Sequence, residues 1–194
     1  MPRGLAPDVL PLRLTVAAVT TANPPSKENT MIRKALVGLA LVTAGASAMA
    51  QDAVFQTKSL TPETALLAAK AALESCRKSG YQVAVAVVDR AGLTQVVLRD
   101  RFAGPHTPDV AVNKAWTAVS FKTSTLALAG ETQPGKSMSG LRSHPRFLAA
   151  GGGVFIEGAG TLLGAIGVSG APGGEADDIC AKAGIKSIAD ALEF

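Results

Sequence analysis

The sequence predicts an α+β fold, in which two hairpins form an antiparallel sheet and helices pack on it. Residues 83–88 are an unbroken apolar run, which is typical of a strand covered on both faces. Glycine-containing turns join two pairs of strand-like segments, 83–88 with 93–99 and 152–157 with 161–168. Three segments with apolar residues at helical spacing alternate with these pairs, so the expected order is helix, hairpin, helix, hairpin, helix.

The first helix is bounded by recognisable signals. Thr61 can cap its start, Pro62 suits the first helical position and Glu63 favours the positive end of the helix. Small and apolar residues recur at helical spacing as far as Cys76. Gly80 is expected to end the helix, because glycine adopts the left-handed conformation without a steric cost.

The second helix is expected to begin at Thr107-Pro108-Asp109, which repeats the capping pattern of the first, and to run to about Phe121. The remaining expected elements are a short helical segment at 125–129, an irregular polar stretch at 131–146 and a last helix from about Glu175. The apolar stripe of that last helix is expected to contain Ala176, Ile179, Cys180, Ala183, Ile188, Ala191 and Leu192.

The N-terminal 50 residues have the features of a leader. The basic pair Arg33-Lys34 precedes an apolar run at 35–44 and the small-residue pattern Ala48-Met49-Ala50. This order is typical of a cleavable signal peptide, with Gln51 as the first mature residue. An uncleaved membrane anchor is disfavoured, because the apolar run is short and rich in small residues.

The expected organisation of the chain follows from this leader. Residues 1–30 are expected to precede the true start at Met31 or to be a disordered leader, with an unusually long n-region of the signal peptide as the alternative. Residues 31–50 are the signal peptide, 51–59 a flexible start and 60–194 one domain. The protein is therefore expected to be periplasmic or secreted.

Most of the positive charge lies in the leader. The chain has 19 basic and 15 acidic residues, and removal of residues 1–50 leaves 14 and 13, a net charge of +1. Such a balance gives no reason to expect nucleic acid or anionic lipid as a partner. No stretch beyond residue 50 is apolar over the roughly 20 residues that a membrane span requires.

Cys76 and Cys180 lie on the apolar faces of two predicted helices. An oxidising compartment permits a disulfide between them. Two buried free thiols are nevertheless the favoured interpretation, because cysteine is among the most frequently buried residues.

Five short motifs follow one another along the expected domain. They are VAVVDRAG (85–92), GPHT (104–107) followed by KAWTA (114–118), GGGV (151–154), GAIGVSG (164–170) and DDIC (177–180). In this order they resemble the GlcG/HbpS-like haem-binding family, which also occurs as the C-terminal domain of some cobalamin adenosyltransferases. The resemblance covers about residues 60–192.

This resemblance implies a profilin-like sandwich that assembles into homo-oligomers and binds a tetrapyrrole, chiefly haem. No single iron-ligand position holds across the family, so the ligand has to be sought among the residues of this chain. His106 is the leading candidate for the metal and the cofactor, because it lies in a loop directly before a helix and imidazole is a good axial ligand of haem iron. A surface histidine is the alternative interpretation.

Lys114 and Thr107 complete the predicted cofactor site. Lys114 shares a helix face with Ala111, Ala115 and Ala118, so its ammonium could lie in a cleft and bind a haem propionate or a substrate carboxylate. The alternative is a structural lysine that meets Asp89 or Asp100. Thr107, the next residue after His106, is also expected to bind the cofactor.

Four further features of the sequence are weaker candidates for a binding site. His144 would be needed for a bis-histidine site but is expected to be a solvated loop residue, and Arg142 and Arg146 could meet propionates. Residues 167–174 resemble a phosphate cradle, but the expected interpretation is a turn, since no Gly-Lys-Ser/Thr sequence closes it.

The sequence thus predicts an exported haem-binding protein with a role as scavenger, buffer or sensor accessory. An enzyme that degrades haem or acts on a small metabolite in the same cleft is one alternative, with Asp89 and Lys114 as a conceivable acid–base pair. A structural oligomeric module is the other. Sequence motifs for a zinc hydrolase or a serine hydrolase do not occur.

Overall fold

The structure is a computed structural model and describes residues 55–194. The predicted leader and the first residues of the predicted flexible start lie outside the described residues. The helices and strands are α1 (Pro62–Lys78), β1 (Ala84–Asp89), β2 (Thr94–Arg99), α2 (Thr107–Phe121), α3 (Thr125–Glu131), β3 (Gly153–Gly158), β4 (Thr161–Ser169) and α4 (Gly174–Lys186), with short 3-10 helices at Ser139–Ser143 and Ala189–Leu192.

The four strands form one antiparallel sheet in the order β2-β1-β4-β3. The two predicted hairpins, β1–β2 and β3–β4, lie side by side, and β1 and β4 pair in the centre. Val85 faces Leu98 on one neighbouring strand and Val168 on the other. The predicted α+β class is therefore confirmed.

Helices cover both faces of the sheet. Val85 and Val87 pack in the main core, with α1 and α4, while Ala84 and Ala86 pack against α2 on the opposite face. Every residue from 83 to 88 is fully buried, which confirms the prediction of a strand covered on both sides. Because side chains alternate between the two faces of a strand, the larger Val85 and Val87 face α1 and α4, and the smaller Ala84 and Ala86 face α2.

Helix α2 lies unusually close to the sheet because the residues between them are small. A Cβ atom added to Gly167 would meet the carbonyl oxygen of Ala111, and one added to Gly153 would meet that of Lys114. Neither glycine has a positive φ angle, so space rather than backbone conformation requires glycine here. This close approach sets the depth at which Lys114 lies in the domain.

The signals at the ends of α1 are confirmed. The Thr61 hydroxyl accepts a hydrogen bond from the Thr64 N–H at 3.3 Å, and Gly80 has a φ angle of +81°. The predicted cap at Thr107 is wrong, since His106 occupies the capping position and makes no capping bond with its side chain. The Thr107 hydroxyl instead donates to the Gly104 carbonyl oxygen at 2.7 Å.

Cys76 and Cys180 form a disulfide that links α1 to α4. Both are buried as predicted, but the favoured interpretation of free thiols is wrong. The two helices pack on the same face of the sheet, so their apolar sides bring the cysteines together. The predicted stripe of the last helix also needs correction, because Ile179 is 66% exposed and α4 ends at Lys186.

Candidate functional site

A cleft of about 550 Å³ opens between the turn that precedes α2 and the glycine-rich loop that precedes α4. His106, Thr107 and Lys114, the three residues selected from the sequence, all line it. The loop contributes residues 170–174, and Asp177 of α4 lies in the wall beside it. The topology therefore brings together side chains from two helices that are separated by a hairpin.

His106 is exposed and its imidazole lies directly over Gly104. A Cβ atom on Gly104 would lie 2.7 Å from Cε1, 3.0 Å from Nδ1 and 3.8 Å from Nε2 of the ring. The Cε1–Nδ1 edge of the ring therefore lies nearest to Gly104, and Nε2 lies farther from it. Among the described residues the imidazole has no hydrogen-bond partner, so it can accept an external one.

Thr107 holds this turn closed. Its N–H and its hydroxyl both donate to the Gly104 carbonyl oxygen, at 3.0 Å and 2.7 Å. Thr107 is only 1% exposed, and its hydroxyl hydrogen is directed to the protein. Its contribution is therefore to fix the backbone on which His106 is presented.

Lys114 lies in the cleft wall but is only 3% exposed. Its Nζ donates to Oδ2 of Asp177 at 2.8 Å and to the carbonyl oxygen of Val168 at 2.9 Å. The other carboxylate oxygen of Asp177 accepts the Ala171 N–H at 3.0 Å. The pair is thus anchored at both ends to the segment that runs from β4 into the glycine-rich loop.

The partners suggested for Lys114 by the sequence are wrong. Asp89 accepts hydrogen bonds from the N–H groups of Ala91 and Leu93 within its own hairpin turn. Asp100 is bound by Arg77. No Asp89–Lys114 acid–base pair forms, because each carboxylate satisfies groups close to it in space.

Burial is the main influence on Asp177. Loss of solvent raises the pKa of its carboxyl above the usual range, and the hydrogen bonds from Lys114 and from the Ala171 N–H act in the opposite direction. Burial disfavours the charged form of Asp177, and the ammonium of Lys114 beside it favours that form. The electrostatics of the cleft therefore depend on the two residues together.

Aromatic side chains form another part of the lining. Phe102 is 80% exposed and Tyr81 is half-buried, and both face the cleft. A large exposed aromatic group beside a cleft is typical of a binding surface. The cleft thus combines flat apolar surface, an imidazole and a buried ammonium.

His144 lies outside this cleft. Its ring stacks on Trp116, with the centroids 5.3 Å apart and the planes 4° from parallel, and its Nδ1 accepts the Arg146 N–H at 3.2 Å. The Nδ1 atom of His144 is therefore used within the protein, whereas neither nitrogen of His106 has a hydrogen-bond partner among the described residues.

The two arginines of this region are also engaged. The Arg146 guanidinium lies 4.6 Å above the Trp116 ring, and Arg142 Nε donates to the Thr132 carbonyl oxygen at 2.7 Å. Neither of these arginines lines the cleft.

Residues 167–174 serve as a strand end and a turn, as expected. Gly167 lies within β4, and the loop N–H of Ala171 donates to the Asp177 carboxylate. The Ala171 N–H is therefore already used by a carboxylate of the protein.

Residues 55–194 contain neither a membrane-spanning helix nor a cluster of metal-binding side chains. No helix there is both long and apolar enough to cross a bilayer. No group of three or more His, Cys, Asp or Glu side chains in these residues could hold a metal ion.

The chain is a small α+β domain in which the turn before one helix and the glycine-rich loop before another line a ligand-sized cleft. A family model described as "Haem degrading protein HbpS-like" matches residues 60–186, and the chain belongs to this HbpS-like family. The resemblance inferred from the five sequence motifs is thereby confirmed.

Solved structures have the same fold. A double mutant of HbpS from Streptomyces reticuli is 40% identical, with a TM-score of 0.66, over 72% of this chain and 93% of that chain. The PduOC:haem complex is 33% identical, with a TM-score of 0.64, over 67% of this chain and 95% of that chain.

A similar segment occurs in a larger enzyme. The corrinoid adenosyltransferase PduO of Salmonella typhimurium is 37% identical over 103 residues, which are 52% of this chain and 31% of that protein. The matched part is therefore about a third of the length of the adenosyltransferase.

Proposed function

We propose that the protein binds haem in the cleft between the His106 turn and the glycine-rich loop. The observation that carries this proposal is the meeting of an unengaged imidazole, exposed aromatic surface and a buried ammonium in one cavity of about 550 Å³. Ligand sites typically have volumes of roughly 300–1,000 Å³ and a few placed polar groups. The PduOC:haem complex, which shares the fold, supports the same ligand.

The residues present fit the three parts of a haem. His106 would bind the iron through Nε2, the nitrogen farther from Gly104. Phe102 and Tyr81 would contact the flat macrocycle. Lys114 would meet a propionate, and Thr107 would hold the turn that carries His106. Bound haem would supply an iron centre whose ligation and surroundings the protein controls.

We infer a role outside the cytoplasm, as a haem scavenger, buffer or sensor accessory. The leader pattern at 31–50 supports export, and so does the Cys76–Cys180 disulfide, since disulfides persist in oxidising compartments. N-terminal sequencing of protein expressed in its native host should give Gln51 or a close neighbour. An intact Met31 start in the cytoplasmic fraction would contradict export.

Spectrophotometric titration with haemin tests the binding proposal. The wild-type protein should give a saturable Soret band at one haem per chain. The His106→Ala variant should bind at least about tenfold more weakly, or ~1.4 kcal/mol, and its iron should change spin state because a ligand is lost. His144→Ala is the matched control and should keep the wild-type spectrum.

The other outcomes are equally informative. A wild-type spectrum in His106→Ala would contradict the ligand assignment. Loss of the Soret band over time with a reductant, together with iron release, would favour a haem-degrading enzyme. Absence of specific haemin binding to the wild-type protein would favour a structural oligomeric module.

A further inference from the structure

We propose that Lys114 and Asp177 act as a charge-balanced pair that sets the selectivity of the cleft for ligands bearing carboxylates. Lys114 donates to the ligand carboxylate, and Asp177 limits the attraction by competing for the same ammonium. The inference rests on the proposed function, because it takes a tetrapyrrole as the occupant. It assigns to Asp177 a role in specificity.

The charge of the cleft wall depends on this pair. Among the described residues that line the cleft, Lys114 and Asp177 are the only lysine, arginine, aspartate or glutamate side chains. Each is only 3% exposed. Charges in a poorly solvated wall interact more strongly with a ligand than charges in water. Neutralising Asp177 would therefore leave an uncompensated positive charge in the wall. Neutralising Lys114 would leave an uncompensated negative charge there.

The hydrogen-bond geometry leaves one donor for a ligand. An ammonium group has three N–H donors. Two of those of Lys114 are used, toward Asp177 at 2.8 Å and the Val168 carbonyl oxygen at 2.9 Å. The third has no acceptor among the described residues, and we infer that a carboxylate entering the cleft accepts it. The ligand must share the ammonium with Asp177, since Asp177 is held in place by the Ala171 N–H.

Two porphyrins without iron provide the test. Protoporphyrin IX carries two propionates, and its dimethyl ester carries none, while neither requires His106 as an iron ligand. The measured quantity is the ratio of the two dissociation constants, ester over acid. We expect Asp177→Asn to raise this ratio on the order of tenfold, and Lys114→Gln to lower it below the wild-type value.

Glu175→Gln is the matched control. Glu175 lies in the same first turn of α4 and loses the same charge, but it is exposed and does not line the cleft. The ratio of dissociation constants measured for Glu175→Gln should stay within about twofold of the wild-type ratio, since exposed charges are screened. Thermal denaturation of each variant shows whether it is folded under the conditions of the titration.

The double variant Lys114→Gln/Asp177→Asn keeps the test valid if Asp177→Asn does not fold. Removal of the aspartate charge from the Lys114→Gln background should raise the ratio several-fold. Unchanged ratios in the Asp177 variants, with a wild-type protein that binds both porphyrins, would overturn this inference and leave the haem proposal standing. Failure of the wild-type protein to bind either porphyrin would overturn this inference, while the haemin titration decides the haem proposal separately.

Discussion

Asp100 is a buried carboxylate that connects β2 to α1. It is 1% exposed, accepts two hydrogen bonds from the Arg77 guanidinium at 2.7 Å and 2.8 Å, and accepts a third from the Arg101 N–H. The hydrogen bonds from Arg77 hold the pKa of Asp100 at about 2, below the ordinary value of 3.8. The folded state therefore favours the charged form of this group.

A lowered pKa has a definite consequence for stability. The stabilisation is present above pH 3.8 and is lost as the pH falls toward 2. We expect Asp100→Asn to cost about 1 kcal/mol of unfolding free energy at pH 6, since Arg77 is partly exposed and screened by water. Urea denaturation at pH 6 and at pH 3 measures it. The loss of unfolding free energy caused by Asp100→Asn should be smaller at pH 3 than at pH 6. An equal loss at the two pH values would contradict the lowered pKa of Asp100.

At the residue scale, the sequence indicated three residues that share one cleft, but it did not indicate the partner of Lys114. His106, Thr107 and Lys114 were selected because of their motifs and helix positions, and the structure brings them to one cleft. Asp177 was not paired with Lys114, because 63 residues separate them and only tertiary packing joins α2 to α4. Sequence spacing carries no signal for such a contact.

Close packing of α2 on the sheet is the main feature at the scale of elements. Gly167 and Gly153 lie beneath carbonyl oxygens of the helix, and small residues such as Ala111 and Ala115 lie above the strands. A side chain between these layers would force them apart, since protein interiors are close-packed. Lys114 reaches Asp177 from this helix.

Gly167→Ala tests this packing. The added methyl group would meet the Ala111 backbone, so we expect a loss of at least about 2 kcal/mol in unfolding free energy. Gly130→Ala is the control, because a Cβ atom there meets nothing and the residue lies within α3. It should be neutral or stabilising by about 0.4–1 kcal/mol. Equal stability of the two variants would contradict the close approach of helix and sheet.

Element type could be predicted because it depends on local signals. Apolar runs, helical periodicity and turn residues indicated each hairpin and helix, and Gly80 ended α1 as expected. The disulfide was the less favoured of two interpretations, because it requires α1 and α4 to share one face of the sheet. Ile179 was wrongly predicted to be buried, because the rotation of the last helix about its own axis depends on the elements against which the helix packs.

At the scale of the whole molecule, we propose that the protein is a homo-oligomer. The strand order leaves β2 at one edge of the sheet, and Val97 on it is 41% exposed, with Leu93 at 66% in the preceding turn. Exposed apolar groups at a sheet edge favour contact with another chain. Light scattering at micromolar concentration should give a multiple of the chain mass, and a monomer mass would contradict this proposal.

We propose that haem occupies the cleft with His106 as its iron ligand. A crystal structure of the protein grown with haemin, with anomalous data collected at the iron edge, locates the metal directly. We expect the iron peak within bonding distance of His106 Nε2, and the macrocycle between Phe102 and the glycine-rich loop. An iron peak beside His144, or haem bound outside the cleft, would contradict it.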